Sequence, residues 1–142
     1  MQRVVIDANV FVSAIMASAG APRQVLRLAL SGEFAPIFGN ALFCEQEGVL
    51  ARDASWKGCP VERGEREALL DALLSVSLWM PVHFLWRPNL ADEGDNHVPE
   101  LAAAGGAESI VTSNKRACRR NSLHFPSIRI KSVGEFLERR RP

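Results

Sequence analysis

Apolar positions along the chain fall into short runs whose period switches between that of a strand and that of a helix. Val4, Val5 and Ile6 form a β-branched run that stops at Asp7, which predicts a buried strand with an acid at its carboxyl end. From Asn9 onward Val10, Phe11, Ala14 and Ile15 recur at helical spacing until the small residues Ser18 to Gly20 break the pattern. Pro22 suits the first turn of a second helix, with Val25, Leu26, Ala29 and Leu30 as its apolar stripe and Gly32 as its end. Phe34 to Phe38 reads as the next strand, and Pro36 inside it suits an edge position. Asn40 is placed to cap a third helix reaching Leu50, with Leu42, Phe43, Val49 and Leu50 inward and Glu45 near its start.

The second half repeats the alternation. A loop over 53–60 leads into a helix over 61–77 with Leu69, Leu70, Leu73 and Leu74 inward, and a short strand is predicted over 82–85. The turn-rich stretch 87–96 delivers Asp92 and Asp95 to a further helix that stops at Gly105 and Gly106. Pro99 disfavours helical backbone at Val98, so that helix is expected to begin late. Strands follow at 109–112 and 127–130, and an amphipathic helix runs over 133–140. Strands alternating with helices predict an α/β domain with a mostly parallel central sheet flanked by helices. At 142 residues, with 47% hydrophobic and 23% charged residues, one hydrophobic core and a single domain over 1–142 are expected, and wholesale disorder is excluded.

Charge adds a second layer. The net charge is +1, but residues 1–114 carry 8 basic and 14 acidic groups whereas residues 115–142 carry 9 and 2. A basic end on an acidic body favours a nucleic-acid partner. No apolar run reaches the roughly 18 residues that span a bilayer, and Met1 leads straight into the first strand, so a cytoplasmic protein without a membrane partner is expected. Cys44, Cys59 and Cys118 are odd in number and lack metal-binding spacing, which points to reduced thiols.

In an open parallel sheet, ligands bind outside the carboxyl ends of the strands. Asp7 and Asn114 fall at such ends, and Glu45 and Asp95 fall near helix N-termini that face the same edge. Three carboxylates gathered in a partly dry crevice repel one another unless cations or protons neutralise them. An all-oxygen set without a His/Cys cluster suits Mg²⁺ or Mn²⁺, whose remaining positions are commonly filled by water and substrate phosphate.

The run Val4-Val-Ile-Asp-Ala-Asn-Val-Phe-Val-Ser-Ala14 resembles the first motif of PIN-domain ribonucleases. Ala21-Pro22 and its helix, Glu45 to Leu50, Asp92 to Ala107, Ile110-Val-Thr-Ser-Asn114 and Ile128-Arg-Ile-Lys-Ser-Val-Gly-Glu-Phe-Leu137 extend the resemblance over almost the whole chain, toward the subgroup of toxins from toxin–antitoxin systems. The resemblance implies a three-layer PIN-like fold and a Mg²⁺- or Mn²⁺-dependent endoribonuclease leaving 5′-phosphate and 3′-hydroxyl ends. It assigns Asp7, Glu45 and Asp95 as catalytic acids and metal ligands, with Asn9, Thr112 and Asn114 in support. Asn114 stands where many members carry a fourth Asp. RNA is the implied substrate and a cognate antitoxin the implied protein partner, with a homodimer left open.

Plainer readings compete residue by residue. Asp7 and Asp95 could be ordinary N-caps, and Glu45 an acid in the first turn of a surface helix. His83, His97 and His124 show no ligating spacing, and Trp56, Trp79 and Trp86 read as core or interface residues before base-stacking platforms. Two other functions stand beside the nuclease: a silent PIN-fold binding module, and a haloacid-dehalogenase-like phosphotransferase, which needs a second Asp where this chain has Asn9. Lys115, Arg116, Arg119 and Arg120 follow directly on Asn114 and are the expected phosphate contacts. Replacing Arg119 and Arg120 together by Ala should flatten the salt dependence of single-stranded RNA binding by about 1.4 in log K against log salt, at about 0.7 per lost contact. Fluorescence anisotropy across a salt series reads the slope, and an unchanged slope removes both arginines from the RNA path.

Overall fold

The structure, a computed structural model, describes residues 2–16, 20–52, 59, 62–80, 97–113 and 128–138. Strand β1 (Arg3–Ile6) lies at the centre, with Val4, Val5 and Ile6 buried on both faces as a β-branched run demands. Strand β2 (Ala35–Phe38) pairs with it on one side and β4 (Ser109–Val111) on the other. Outside these lie β3 (Leu78–Trp79) and β5 (Arg129–Lys131), so the described sheet is five-stranded and parallel in the order β3-β2-β1-β4-β5. The registers pair Trp79 with Phe38, Ile6 with Val111 and Val111 with Lys131, and continuing the pairing of Arg3 with Ala35 and Val4 with Pro36 brings Phe38 level with Ile6.

Helices α1 (Ala8–Met16) and α2 (Ala21–Leu30) carry the chain from β1 to β2, and α3 (Asn40–Leu50) and α4 (Arg63–Ser75) carry it on to β3. Helix α5 (His97–Gly105) returns it across the sheet to β4, and α6 (Val133–Glu138) follows β5. Right-handed crossovers in opposite directions put α5 on the opposite face from α1 and α2, and α3 packs against both α1 and α5. Local chemistry fixes the corners. Gly20, at φ 127, takes a left-handed turn that a side chain would strain, and Pro22 then starts α2. Arg23 donates to the carbonyls of Ala14 (2.9 Å) and Ile15 (3.4 Å), satisfying the open end of α1. Ser132 and Glu135 cap α6 reciprocally, at 3.0 and 3.2 Å. Phe136 then packs edge-on against Phe34, with ring centroids 5.1 Å apart, tying α6 to the start of β2.

Several expectations change. Strand β2 is interior, not an edge, and Pro36 is tolerated because Ala35 donates toward β1 (to Gln2, 2.8 Å). Alternation turns the proline nitrogen to the other side, where pairing with β3 begins only at Ile37. Strand β3 sits at Leu78–Trp79, straight after α4, while the predicted strand over 82–85 lies outside the described residues. Gly39, not Asn40, occupies the cap position of α3. Val98 and Pro99 are both helical in α5; in the first described turn a missing N–H removes no bond within the helix. The inward stripe of α3 is Leu42, Gln46 and Leu50, with Phe43 and Val49 half-buried.

Helix α5 approaches the sheet through Gly105. A Cβ there would lie 2.8 and 2.9 Å from Cδ1 and Cγ2 of Ile37 and 3.2 Å from Cγ of Met80. Ile37 is fully buried and stiff at its branched carbon, so it cannot step aside cheaply. Gly105→Ala gains about 1 kcal/mol of helix propensity but overpacks this contact by about 1–3 kcal/mol. A net loss of up to about 2 kcal/mol in urea unfolding is expected, and a stabilised variant would show that the helix can lift off β2 freely.

Candidate active site

Because β2 and β3 build outward from β1 on one side and β4 and β5 on the other, the sheet changes direction between β1 and β4. Such a switch point opens a crevice at the carboxyl edge. Asp7 and Thr112 stand on either side of it, each one residue beyond the end of its strand. The Asp7 N–H donates to Val111 (2.9 Å) and the Thr112 N–H to Lys131 (3.0 Å), the last rungs of their ladders. Equal register turns both side chains to one face, and the Thr112 hydroxyl donates to Oδ2 of Asp7 at 2.7 Å.

Thr112 is fully buried and Asp7 half-buried. The Asp7 carbonyl accepts from Val10 (3.0 Å) and Phe11 (3.4 Å), so its backbone opens α1 while its carboxylate is held by Thr112. The positive end of a helix and a hydroxyl donor both favour the ionised acid. Thr112 fills one of about four acceptor sites on a carboxylate, a set that suits hard cations.

Glu45 is exposed in the second turn of α3, a helix that packs against α1, α4 and α5; no acid lies in the first turn. Asn9 is exposed in the first turn of α1. Asp95, Asn114, Lys115, Arg116, Arg119 and Arg120 lie outside the described residues, as do Trp56 and Trp86. Among the described residues no three His, Cys, Asp or Glu side chains gather into one group, and the pair the structure brings together is Asp7 with Thr112. Cys44 and Cys59 form no disulfide, and the Cys59 thiol lies 4.0 Å from the Ile15 carbonyl oxygen. Among the described residues no helix is long and apolar enough to cross a membrane.

Trp79 is 49% exposed, which removes the core half of its core-or-interface reading. Its ring meets that of Phe43 on α3 edge-on, with centroids 5.9 Å apart. Exposure at this position could not be read while the strand was expected over 82–85.

A parallel α/β domain with an anchored acid at its switch point defines the class, and comparison with known proteins defines the family. The PIN domain family matches residues 3–116, and the chain belongs to that family. Among solved structures, it is similar to VapBC2 from Rickettsia felis, described as bound to a DNA fragment from their promoter, at 17% identity and a TM-score of 0.59 over 92% of this chain and 98% of that one. It is also similar to PAE2754 from Pyrobaculum aerophilum, at 15% identity and a TM-score of 0.57 over 97% of this chain and 88% of that one. At these identities the likeness is one of fold. No curated protein matches the chain.

The Asp7–Thr112 bond carries a measurable share of stability. A hydrogen bond to a charged group contributes about 1.5–3 kcal/mol, so Thr112→Val should lose that much in urea unfolding at neutral pH with an unchanged m-value. Thr112→Ser keeps the donor and should lose about 1 kcal/mol for the methyl group. Undiminished stability of Thr112→Val would mean that the bond itself contributes nothing.

Proposed function

We propose that the chain is a metal-dependent endoribonuclease, the toxin half of a toxin–antitoxin pair. The observation that carries this reading is the Asp7 carboxylate at the carboxyl end of the central strand, oriented by Thr112 across the switch point. Family membership supports nuclease chemistry, and the fold likeness to VapBC2 supports an antitoxin partner. It also displaces the phosphotransferase alternative, since the chain belongs to another family.

Asp7, Glu45 and Asp95 would hold Mg²⁺ or Mn²⁺, with Asn9, Thr112 and Asn114 completing the polar surroundings. The donor chemistry fits, since the acid the structure describes is an oxygen ligand turned by a neutral hydroxyl donor. A bound dication would supply charge to neutralise the carboxylates and to activate a water for attack on phosphorus. Thr112 fixes which Asp7 oxygen faces the crevice. Glu45, exposed on α3, serves as a further ligand or takes the proton from the attacking water. Lys115, Arg116, Arg119 and Arg120 hold the phosphates that flank the cleaved bond, which positions the strand without reading its bases.

Asp7→Asn keeps an oxygen acceptor for Thr112 but removes the charge. RNA cleavage by the purified variant should fall about 10²- to 10⁴-fold while circular dichroism stays that of the parent and stability falls by no more than about 1–2 kcal/mol, as a charged hydrogen bond becomes a neutral one. Asp95→Asn should behave likewise. Undiminished cleavage in either variant would end the proposal for that residue. Saturable Mn²⁺ binding by the parent without any cleavage of RNA would favour the silent binding module.

A further inference from the structure

We propose that Gln46 is a positioning residue of the site, whose buried amide orients a water in the hydration shell of the dication held beside Asp7. The inference rests on the metal-dependent nuclease reading and adds to it a residue outside the set of ligands. Gln46 is 1% exposed, and neither its Nε2 nor its Oε1 has a hydrogen-bond partner among the described residues. Buried polar groups are almost always paired, so an amide enclosed in this way calls for a ligand that it meets when the site is loaded. Leu42 and Leu50, one turn to either side on the same inward stripe, are what packing alone selects at such positions. A purely structural amide would pair with a neighbour, as the fully buried Thr112 does with Asp7.

The course of α3 decides where that amide lies. Gly39 follows the last residue of β2, and the pairing that brings Phe38 level with Ile6 also brings Gly39 level with Asp7, one strand spacing or about 5 Å away. Helix α3 therefore begins at the carboxyl edge, beside the end of β1. It packs against α1, which starts one residue after Asp7, and against α5 on the opposite face of the sheet. A helix that meets both layers from this starting point lies across the carboxyl edge, with its buried side turned to the strand ends. Gln46 is on that side, about 9 Å along the helix from Asn40. Glu45 is exposed and lies about 100° round the axis, so neighbouring residues set a carboxylate at the open side of the crevice and an amide beneath it. The chemistry suits a hydrated ion. Mg²⁺ and Mn²⁺ keep several waters, each with protons to donate, and the groups that accept those protons fix the shell. Oε1 of Gln46 accepts from such a water while Nε2 donates to an anionic oxygen, and a neutral amide does so without burying a further charge.

The test is a calorimetric titration of the full chain with Mn²⁺ in the absence of RNA, beside urea unfolding of the metal-free protein. Gln46→Leu should weaken Mn²⁺ binding about 10- to 100-fold, the usual cost of removing a group that orients a metal's shell. The urea midpoint of the metal-free variant should not fall, because an apolar side chain of similar volume replaces an amide without a partner. Gln46→Met, unbranched like glutamine, should behave in the same way and controls for the shape of leucine. Mn²⁺ affinity equal to the parent's in both variants overturns the inference, and the nuclease reading stands if Asp7→Asn still loses Mn²⁺ binding. Lower urea midpoints in both variants with Mn²⁺ affinity unchanged assign Gln46 to packing and overturn it as well. If the parent shows no Mn²⁺ binding that Asp7→Asn removes, the metal-dependent reading fails and the inference with it.

Discussion

A strand buried on both faces can carry a charged residue only where the sheet stops. Strand β1 meets that constraint at Asp7: Val4, Val5 and Ile6 are enclosed by β2, β4 and the helical layers, and the next residue opens α1. Placing the acid one residue earlier would bury it among apolar side chains at a cost of several kcal/mol. One residue later it would lie in the first turn of α1 and lose the rung to Val111 that sets its height. Thr112 occupies the matching position on β4 and is itself fully buried, so its hydroxyl needs a partner and Asp7 provides one. Parallel pairing of β1 with β4 in this register is therefore what aims the carboxylate, and the rest of the sheet keeps that register.

The features legible in the sequence were those with a strong local cause. The run that stops at Asp7, the Pro22 start of α2, the leucine stripe of α4 and the β-branched run before Thr112 all appear as elements close to their expected bounds. What the pattern hid depends on neighbours. Pro36 argues for an edge on local grounds, yet which side of a strand lacks a partner at one residue is a matter of pairing. Gln46 lies four residues from both Leu42 and Leu50, on the stripe that packs inward. Polarity hid it: it is 1% exposed, and its amide atoms have no hydrogen-bond partner among the described residues. Such a group costs about 1–3 kcal/mol, and nothing local announces that a fold will bear it.

The same holds for the site. The end of β1 at Asp7 was legible from the run before it, whereas the strand over 109–112 was expected to present Asn114 at its end, and the residue that meets Asp7 is Thr112, one beyond the end of β4. The height of Trp79 at the edge could not be foreseen, since it follows from where α4 releases the chain into β3. The backbone N–H groups of Val76 and Ser77 still bond to Leu73 and Leu74, and Leu78 enters the ladder immediately afterwards. A helix that ended one turn later would have carried the indole away from this row.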